Sequence, residues 1–554
     1  MTNGLKLALP VITAPRTDSG PLPTAAADTS NTACCGGSTS TVRVGQDVQP
    51  AKLYEPRPAT RPESRFTGDD RRVALLQPRI PDGNYLPNLG IMYLAGILLE
   101  KGYKVRVFDV NIEEDVELSI RRFAPALLGI TCVTAALGSA VRMARRLKDA
   151  LPEMVVALGG PHPTVMPKET LERNDVADFC FIGESERSFA EFCDRLFESD
   201  GDLSAVRGVP GMAWRDDNGV VHVNRSPGYL EDNELDALPY PPWHLLPMER
   251  IFKQATHGLF TRGSRIMPVM TTRGCPNYCT FCSRVMGFNF RKRSIENVVG
   301  EIQWLYQTWK TDEIYFEDDT FTQDHERAHA LLDAVIDLRL PLHIKFANGL
   351  RADKVDEALL AKMKKAGVYW IGFGIESGAA HTQELMMKKL DLDLAANNVR
   401  LAKRMGFKVG SNCIIGYPGE TREDIRESID YFLRLPLDSF AVVPCIPFPA
   451  TTAWMTCDRE GWLTERAKNY DNYWFEIFKV NPLIETPSLS AVDMARAIRN
   501  VYIRFYFLNP RRSWLVAKMV AKKTLFRVGD LKWMRMLRAN SAQPALAMRP
   551  DYEC

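Results

Sequence analysis

The stretch TTRGCPNYCTFCSRVMG, residues 271–287, gathers Cys275, Cys279 and Cys282 into one short segment, with Gly274 and Pro276 flanking the first of them. Three thiols so close in a chain that opens without an export-like segment read as metal binding or catalysis rather than as a disulfide framework. A structural zinc site normally closes with four ligands, and neither a partner C-x-x-C nor an H-x-x-x-H follows nearby. Iron–sulfur clusters are held by cysteine thiolates, usually four. With three supplied, one iron of a four-iron cluster keeps an open position. The bland alternative is three thiols buried as core residues.

The surroundings say where this segment sits. From Ile266 onward, apolar runs recur as MPVMTTRG, EIYFEDD, HIKFANG, WIGFGIES, VGSNCIIGYPG and FAVVPCIPFP, with helical patterns such as 294–309 and 355–366 between them. Six βα-type units suit a partial (β/α)6 barrel, whose chemistry lies at the carboxyl rim of its strands. The cysteines follow the first strand, on that rim. Other polar groups end later strands: Glu317, Asp318 and Asp319 in YFEDDTF, Arg351 in NGLRAD, Glu376 in GFGIESG, and the glycine-lined turn of IIGYPGET. Acids there suit an ammonium or a ribose, and the Arg351 guanidinium suits a carboxylate.

Upstream, RVALLQP, KVRVFDV, ALLGITCV, MVVALGG and ADFCFIG alternate with helical segments near 89–102, 114–124, 136–150 and 185–199. That pattern predicts a doubly wound parallel sheet over 71–205, with ligand loops at 77–85, 109–111, 131–138 and 159–164. No G-x-G-x-x-G follows its first strand, so a dinucleotide is not favoured. A connector over 206–262 holds a polar hairpin, MAWRDDNGVVHVN, and the proline-rich LDALPYPPWHLLP. The barrel then occupies 263–450 and a mostly helical region 451–554. Residues 1–70 read as a disordered tail, and Cys34 and Cys35 within it are assigned no role.

At 554 residues the chain requires more than one domain. Its formal charge of +2 gives no reason to expect nucleic acid. No apolar run reaches the roughly 18–20 residues that cross a bilayer, and a cytoplasmic location is expected. Residues 501–554 are basic, and Trp, Leu, Val and Met recur among the charges at helical spacing. A solvated basic face explains this. So does a lid over an anionic substrate, or an amphipathic helix resting on a membrane surface.

The C-x3-C-x2-C spacing, with Phe281 before the last cysteine, resembles the signature of the radical S-adenosylmethionine (SAM) superfamily. The upstream domain joined through LPYPPW resembles its cobalamin-dependent class, over roughly residues 72–450. The resemblance implies a [4Fe-4S] cluster on Cys275, Cys279 and Cys282, whose open iron binds SAM. It also implies a flavodoxin-like cobalamin-binding domain and an external electron donor of flavodoxin or ferredoxin type. By the same resemblance Glu376 contacts SAM, assisted by Asp318 or Arg351, and the loops at Thr131 and at Gly159–Gly160 in GGPHPT admit the corrin or its nucleotide tail. The D-x-H-x-x-G cobalt-ligand motif is missing, so His162 is read as a buried or turn-capping histidine. The reaction so implied is methyl transfer from SAM by way of methylcobalamin to an unactivated carbon or a phosphinate phosphorus. Its acceptor is a small, anionic intermediate of antibiotic type, phosphinothricin-like. Anaerobic porphyrin-ring cyclization is the alternative within the superfamily, and a non-catalytic cobalamin or metal sensor the alternative outside it. A methylthiotransferase would need further loop cysteines, whereas Cys132, Cys180 and Cys193 fall on strand or helix patterns.

Overall fold

The structure, a computed structural model, describes residues 71–79, 86–254, 260–474, 482–508 and 512–513. Cys34, Cys35, the tip of the 77–85 loop and residues 514–554 of the basic segment lie outside the described residues. The first sheet comprises β1 (Arg72–Gln77), β2 (Lys104–Asp109), β3 (Leu127–Thr131), β4 (Val155–Gly159), β5 (Phe179–Phe181), β6 (Met212–Arg215) and β7 (Val221–Val223). Its spatial order is β2-β1-β3-β4-β5-β6-β7. Strands β1 to β5 run parallel, and the winding reverses between β1 and β3, the switch point beside which such sheets take ligands.

The pleat of β1 sorts the core into two layers. Val73 and Leu75 pack with the helices Leu89–Glu100 and Glu186–Glu198, and Ala74 and Leu76 pack with Leu137–Ala150. Helix Leu89–Glu100 is apolar nearly all round because both of its sides are covered. One side lies on the sheet. On the other, Pro239 approaches so closely that a Cβ on Gly96 would meet its Cγ at 2.9 Å. The linker residues Trp243, Leu246 and Met248 join the same core, which continues into the barrel. The hairpin assigned to the connector belongs instead to the first sheet, where β6 pairs antiparallel with β5 and β7 with β6. Its alternating pattern marks two strands but carries no sign of which edge receives them.

The barrel strands are β8 (Ile266–Val269), β11 (Glu313–Phe316), β12 (His343–Phe346), β13 (Trp370–Glu376), β14 (Lys408–Ile415) and β15 (Ser439–Pro444). Between β8 and β11 lies a two-stranded ribbon of β9 (Thr272–Arg273) and β10 (Arg291–Lys292). The six barrel strands form two parallel triplets, β8-β11-β12 and β13-β14-β15, stitched together by bridges at Ile344–Val368 and Leu350–Phe373. The Trp370 ring fills the interior near the amino end, where a Cβ on Gly372 would lie 2.5 Å from its Cη2.

A six-stranded barrel leaves an open edge at β15, whose outward amides need partners. The helix Ala491–Tyr502 and the π-turn Ile503–Phe507 supply them. The Tyr506 hydroxyl accepts from Phe440 N and donates to Phe440 O, both at 2.9 Å, and Tyr502 does the same for Val442 at 3.2 and 3.3 Å. The double variant Y502F/Y506F is therefore expected to lose about 1–3 kcal/mol, read as a lower urea midpoint.

Candidate active site

The cysteine loop has almost no regular structure, so side chains from neighbouring strands must fix it. Asp318, past the end of β11, accepts from Thr271 N and Thr271 Oγ1 at 2.6 Å each and from Thr272 N at 3.1 Å. It is only 3% exposed. Burial raises its carboxyl, and the Thr271 and Thr272 donors and the Arg327 charge oppose that shift. Arg327 Nη2 adds bonds to Thr271 O and Arg293 O, and Asp319 accepts from Gly274 N at 3.2 Å. Gly274 has φ +84°, and a Cβ there would sit 2.2 Å from Asn289 O, so this turn tolerates only glycine. Cys275 N donates to Gly287 O and closes the loop. Thr280 ties its far side to Met386 O, Leu385 O and the Tyr417 hydroxyl.

The three thiols are graded in burial, with Cys279 buried, Cys275 intermediate and Cys282 exposed on the loop. Burial pushes the Cys279 thiol up, against the cations of Lys388 and Arg351. Metal-type side chains converge within 4.8 Å elsewhere among the described residues, at His325, His329 and Asp356. The three cysteine sulfurs do not all fall within 4.8 Å of one another.

Glu376 ends β13 after a register shift and holds a left-handed φ of +68°. Its carboxylate pairs with Lys388 Nζ at 3.3 Å, and that ammonium lies 5.7 Å from the Phe281 ring centroid. The structure thus brings Glu376 to the cysteine loop through Lys388, a residue the sequence reading missed because MMKKL looks like any polar helix end. Arg351 stands beside the same group, but its fork is taken by Asp353 at 3.0 and 2.8 Å and by Lys388 O at 3.1 Å. Asp318 is likewise committed to the loop backbone. Of the three barrel residues expected to serve SAM, Glu376 keeps a partly exposed carboxylate on the rim, while Asp318 and Arg351 are spent on protein partners.

In the first domain, Thr131, Gly159 and Gly160 meet at the carboxyl ends of β3 and β4. Thr131 is in register with Gly159, and Cys132 N donates to Gly159 O at 2.7 Å. Gly160 has φ +88°, and a Cβ on it would come within 2.6 Å of Thr131 Oγ1, so this glycine serves close backbone packing. Gly159 has room, its nearest such contact being Phe181 Cβ at 3.8 Å. His162 is buried, bonds Thr134 Oγ1 through Nδ1 at 3.2 Å and meets the Tyr470 ring edge-on. Burial lowers it to about 4, and the ring is already packed into protein, as the reading of a buried histidine expected. Cys132, Cys180 and Cys193 are fully buried and offer no loop site for a second cluster.

Two family descriptions match the chain, "B12 binding domain" over residues 80–193 and "Radical SAM superfamily" over 269–432. An uncharacterized methyltransferase of Pyrococcus horikoshii is 30% identical over 434 residues, which are 77% of this chain and 88% of that protein. The cytidylyl-2-hydroxyethylphosphonate methyltransferase of Streptomyces wedmorensis is 29% identical over 472 residues, 75% of this chain and 86% of that protein. Among solved structures, the cobalamin-dependent SAM radical enzyme OxsB with aqua-cobalamin bound shares the fold. Its TM-score is 0.62 at 16% identity, over 82% of this chain and 71% of that one. TsrM from Kitasatospora setae, with cobalamin and a [4Fe-4S] cluster bound, gives 0.57 at 18% identity, over 71% and 78%.

A doubly wound corrin-type sheet beside a half-open parallel barrel, with three thiols on the rim, defines a two-cofactor radical enzyme. The chain belongs to the cobalamin-dependent radical SAM methyltransferases. Its cofactors are those of that class: cobalamin, a [4Fe-4S] cluster and SAM.

Two outcomes test this geometry. D318A strands the Thr271 and Thr272 amides and is expected to lose most of the iron that the reconstituted wild type retains, measured by metal analysis. Glu420 accepts from Gly416 N, Tyr417 N and Thr382 Oγ1, yet burial raises its carboxyl from 4.5 to about 8. The stability it contributes is complete below the unfolded value and is lost as pH rises through the folded one. The thermal midpoint of the wild type is therefore expected to fall relative to E420Q between about pH 4.5 and about pH 8.

Proposed function

We propose that this protein methylates a small, anionic biosynthetic intermediate of antibiotic type, at an unactivated carbon or at a phosphinate phosphorus, with SAM as the methyl source and methylcobalamin as the carrier. The observation that carries the reading is the likeness, across most of both chains, to a methyltransferase whose named substrate is a 2-hydroxyethylphosphonate conjugate. The cofactors supply the radical and the transferable methyl group, and the protein supplies position and electrostatics.

Cys275, Cys279 and Cys282 would supply the thiolates that hold the cluster. Glu376 would take the SAM ammonium, with Lys388 aiming that carboxylate. Asp318 acts one step back, building the loop that presents the thiols, and Arg351 keeps Asp353 and the Lys388 carbonyl in place. Thr131 and Gly159 border the space for the corrin or its tail, and Gly160 shapes the turn that bounds it. His162, bonded to Thr134 and packed against Tyr470, would not be the residue that holds cobalt. The described cysteines are free thiols, which suits a reducing cytoplasm and an electron donor of flavodoxin or ferredoxin type. The described residues include no helix long and apolar enough to cross a membrane.

Anaerobic protein reconstituted with iron, sulfide and cobalamin, and given cytidylyl-2-hydroxyethylphosphonate or a phosphinate, is expected to form S-adenosylhomocysteine and 5′-deoxyadenosine together. Formation of 5′-deoxyadenosine alone would count against methyl transfer. Replacing Cys275, Cys279 or Cys282 by alanine should abolish both products, and E376Q should raise the KM for SAM about tenfold or more.

A further inference from the structure

The neck of the cysteine loop is the β9–β10 ribbon, in which Arg273 and Arg291 are register partners. Both arginines are buried, and both are neutralised from the other domain. Glu184 and Glu186 follow β5 at the carboxyl edge of the first sheet. Arg291 Nη1 reaches Glu184 Oε2 at 2.7 Å, and Arg273 Nη1 reaches Glu186 Oε1 at 2.8 Å and Glu184 Oε1 at 3.5 Å. Glu184 Oε2 also accepts from Leu230 N at 2.9 Å, while Arg291 donates to Leu230 O and Met286 O. The Arg273 guanidinium lies over the Tyr93 ring of the first domain at 5.2 Å.

We infer that Glu184 and Glu186 are positioning residues that lock the cluster-bearing loop to the carboxyl edge of the cobalamin-binding sheet and so fix the separation between the two cofactors. The inference rests on the proposed ligand role of the three cysteines, but it concerns a different set of side chains. Apolar packing alone lets two domains slide by fractions of a side chain, since it has no direction. A carboxylate shared between two guanidiniums on adjacent strands has one satisfactory geometry, because an unpaired buried charge on either side is strongly unfavourable. The contact falls at the root of the loop, two residues before Cys275 and four after Gly287, so a shift of the neck would carry all three thiols with it. A substrate that must meet a radical from one cofactor and a methyl group from the other needs that separation held.

The test uses full-length protein reconstituted with iron, sulfide and hydroxocobalamin, then reduced so that both cluster and cobalt are paramagnetic. Pulsed EPR reads the distribution of distances between them. The wild type should give one narrow distribution. E186Q and R273M should broaden it while iron and cobalt contents stay at wild-type values. In the apoprotein of each variant, amide exchange over residues 271–293 should quicken about tenfold or more. A distribution and an exchange rate unchanged from wild type would overturn the inference, as would loss of iron with unchanged exchange. Should E186Q fail to fold, E186D keeps the charge but shortens the reach, and the same two outcomes decide. Wild-type protein that holds no iron or no cobalt would sink the functional reading instead.

Discussion

A single carboxylate carries much of this active site. The loop that presents the thiols has almost no strand ladder of its own, so its root must be fixed by side chains. Asp318 takes two backbone amides and a hydroxyl there from a neighbouring strand end, and Arg327 takes the Thr271 carbonyl. Burying a carboxylate is costly, and three hydrogen bonds, two of them short, offset that cost only while all are made. The loop is thus specified by an all-or-none arrangement of polar groups and not by its own propensity.

The same logic explains why the site is built of paired charges. Glu376 occupies a left-handed backbone position that a residue with a Cβ adopts at some strain, and its partner Lys388 comes from a separate segment after the helix Ala380–Leu385. Neither residue would be stable in this place without the other. Their joint position beside Cys279 puts a cation near that thiol, where it opposes the upward push of burial.

Much of the architecture was legible in the chain itself. Strands such as RVALLQ and EIYF are short apolar runs bounded by polar turns, and buried parallel strands leave that trace whatever their surroundings. The cysteine triad stood out through its spacing together with its place after the first barrel strand. Asp318 and Arg351 were not, because an acid or an arginine at a strand end looks the same whether it faces a cavity or a neighbouring amide. Only the paths of Thr271 and Asp353 decide that. Lys388 left no trace, being one lysine of an adjacent pair, and nothing in the sequence pairs Arg273 or Arg291 with Glu184, which the fold places between them. The hairpin β6–β7 showed its own pairing but not its destination.

The tyrosine hydroxyls on β15 have a consequence for how such enzymes diversify. Each plays donor and acceptor to one residue of the exposed strand, so the wall beside the bore is supplied by a helix that contributes no strand of its own. Exchanging or tilting that helix would change how the open edge is closed while the strand bearing Glu376 stayed as it is.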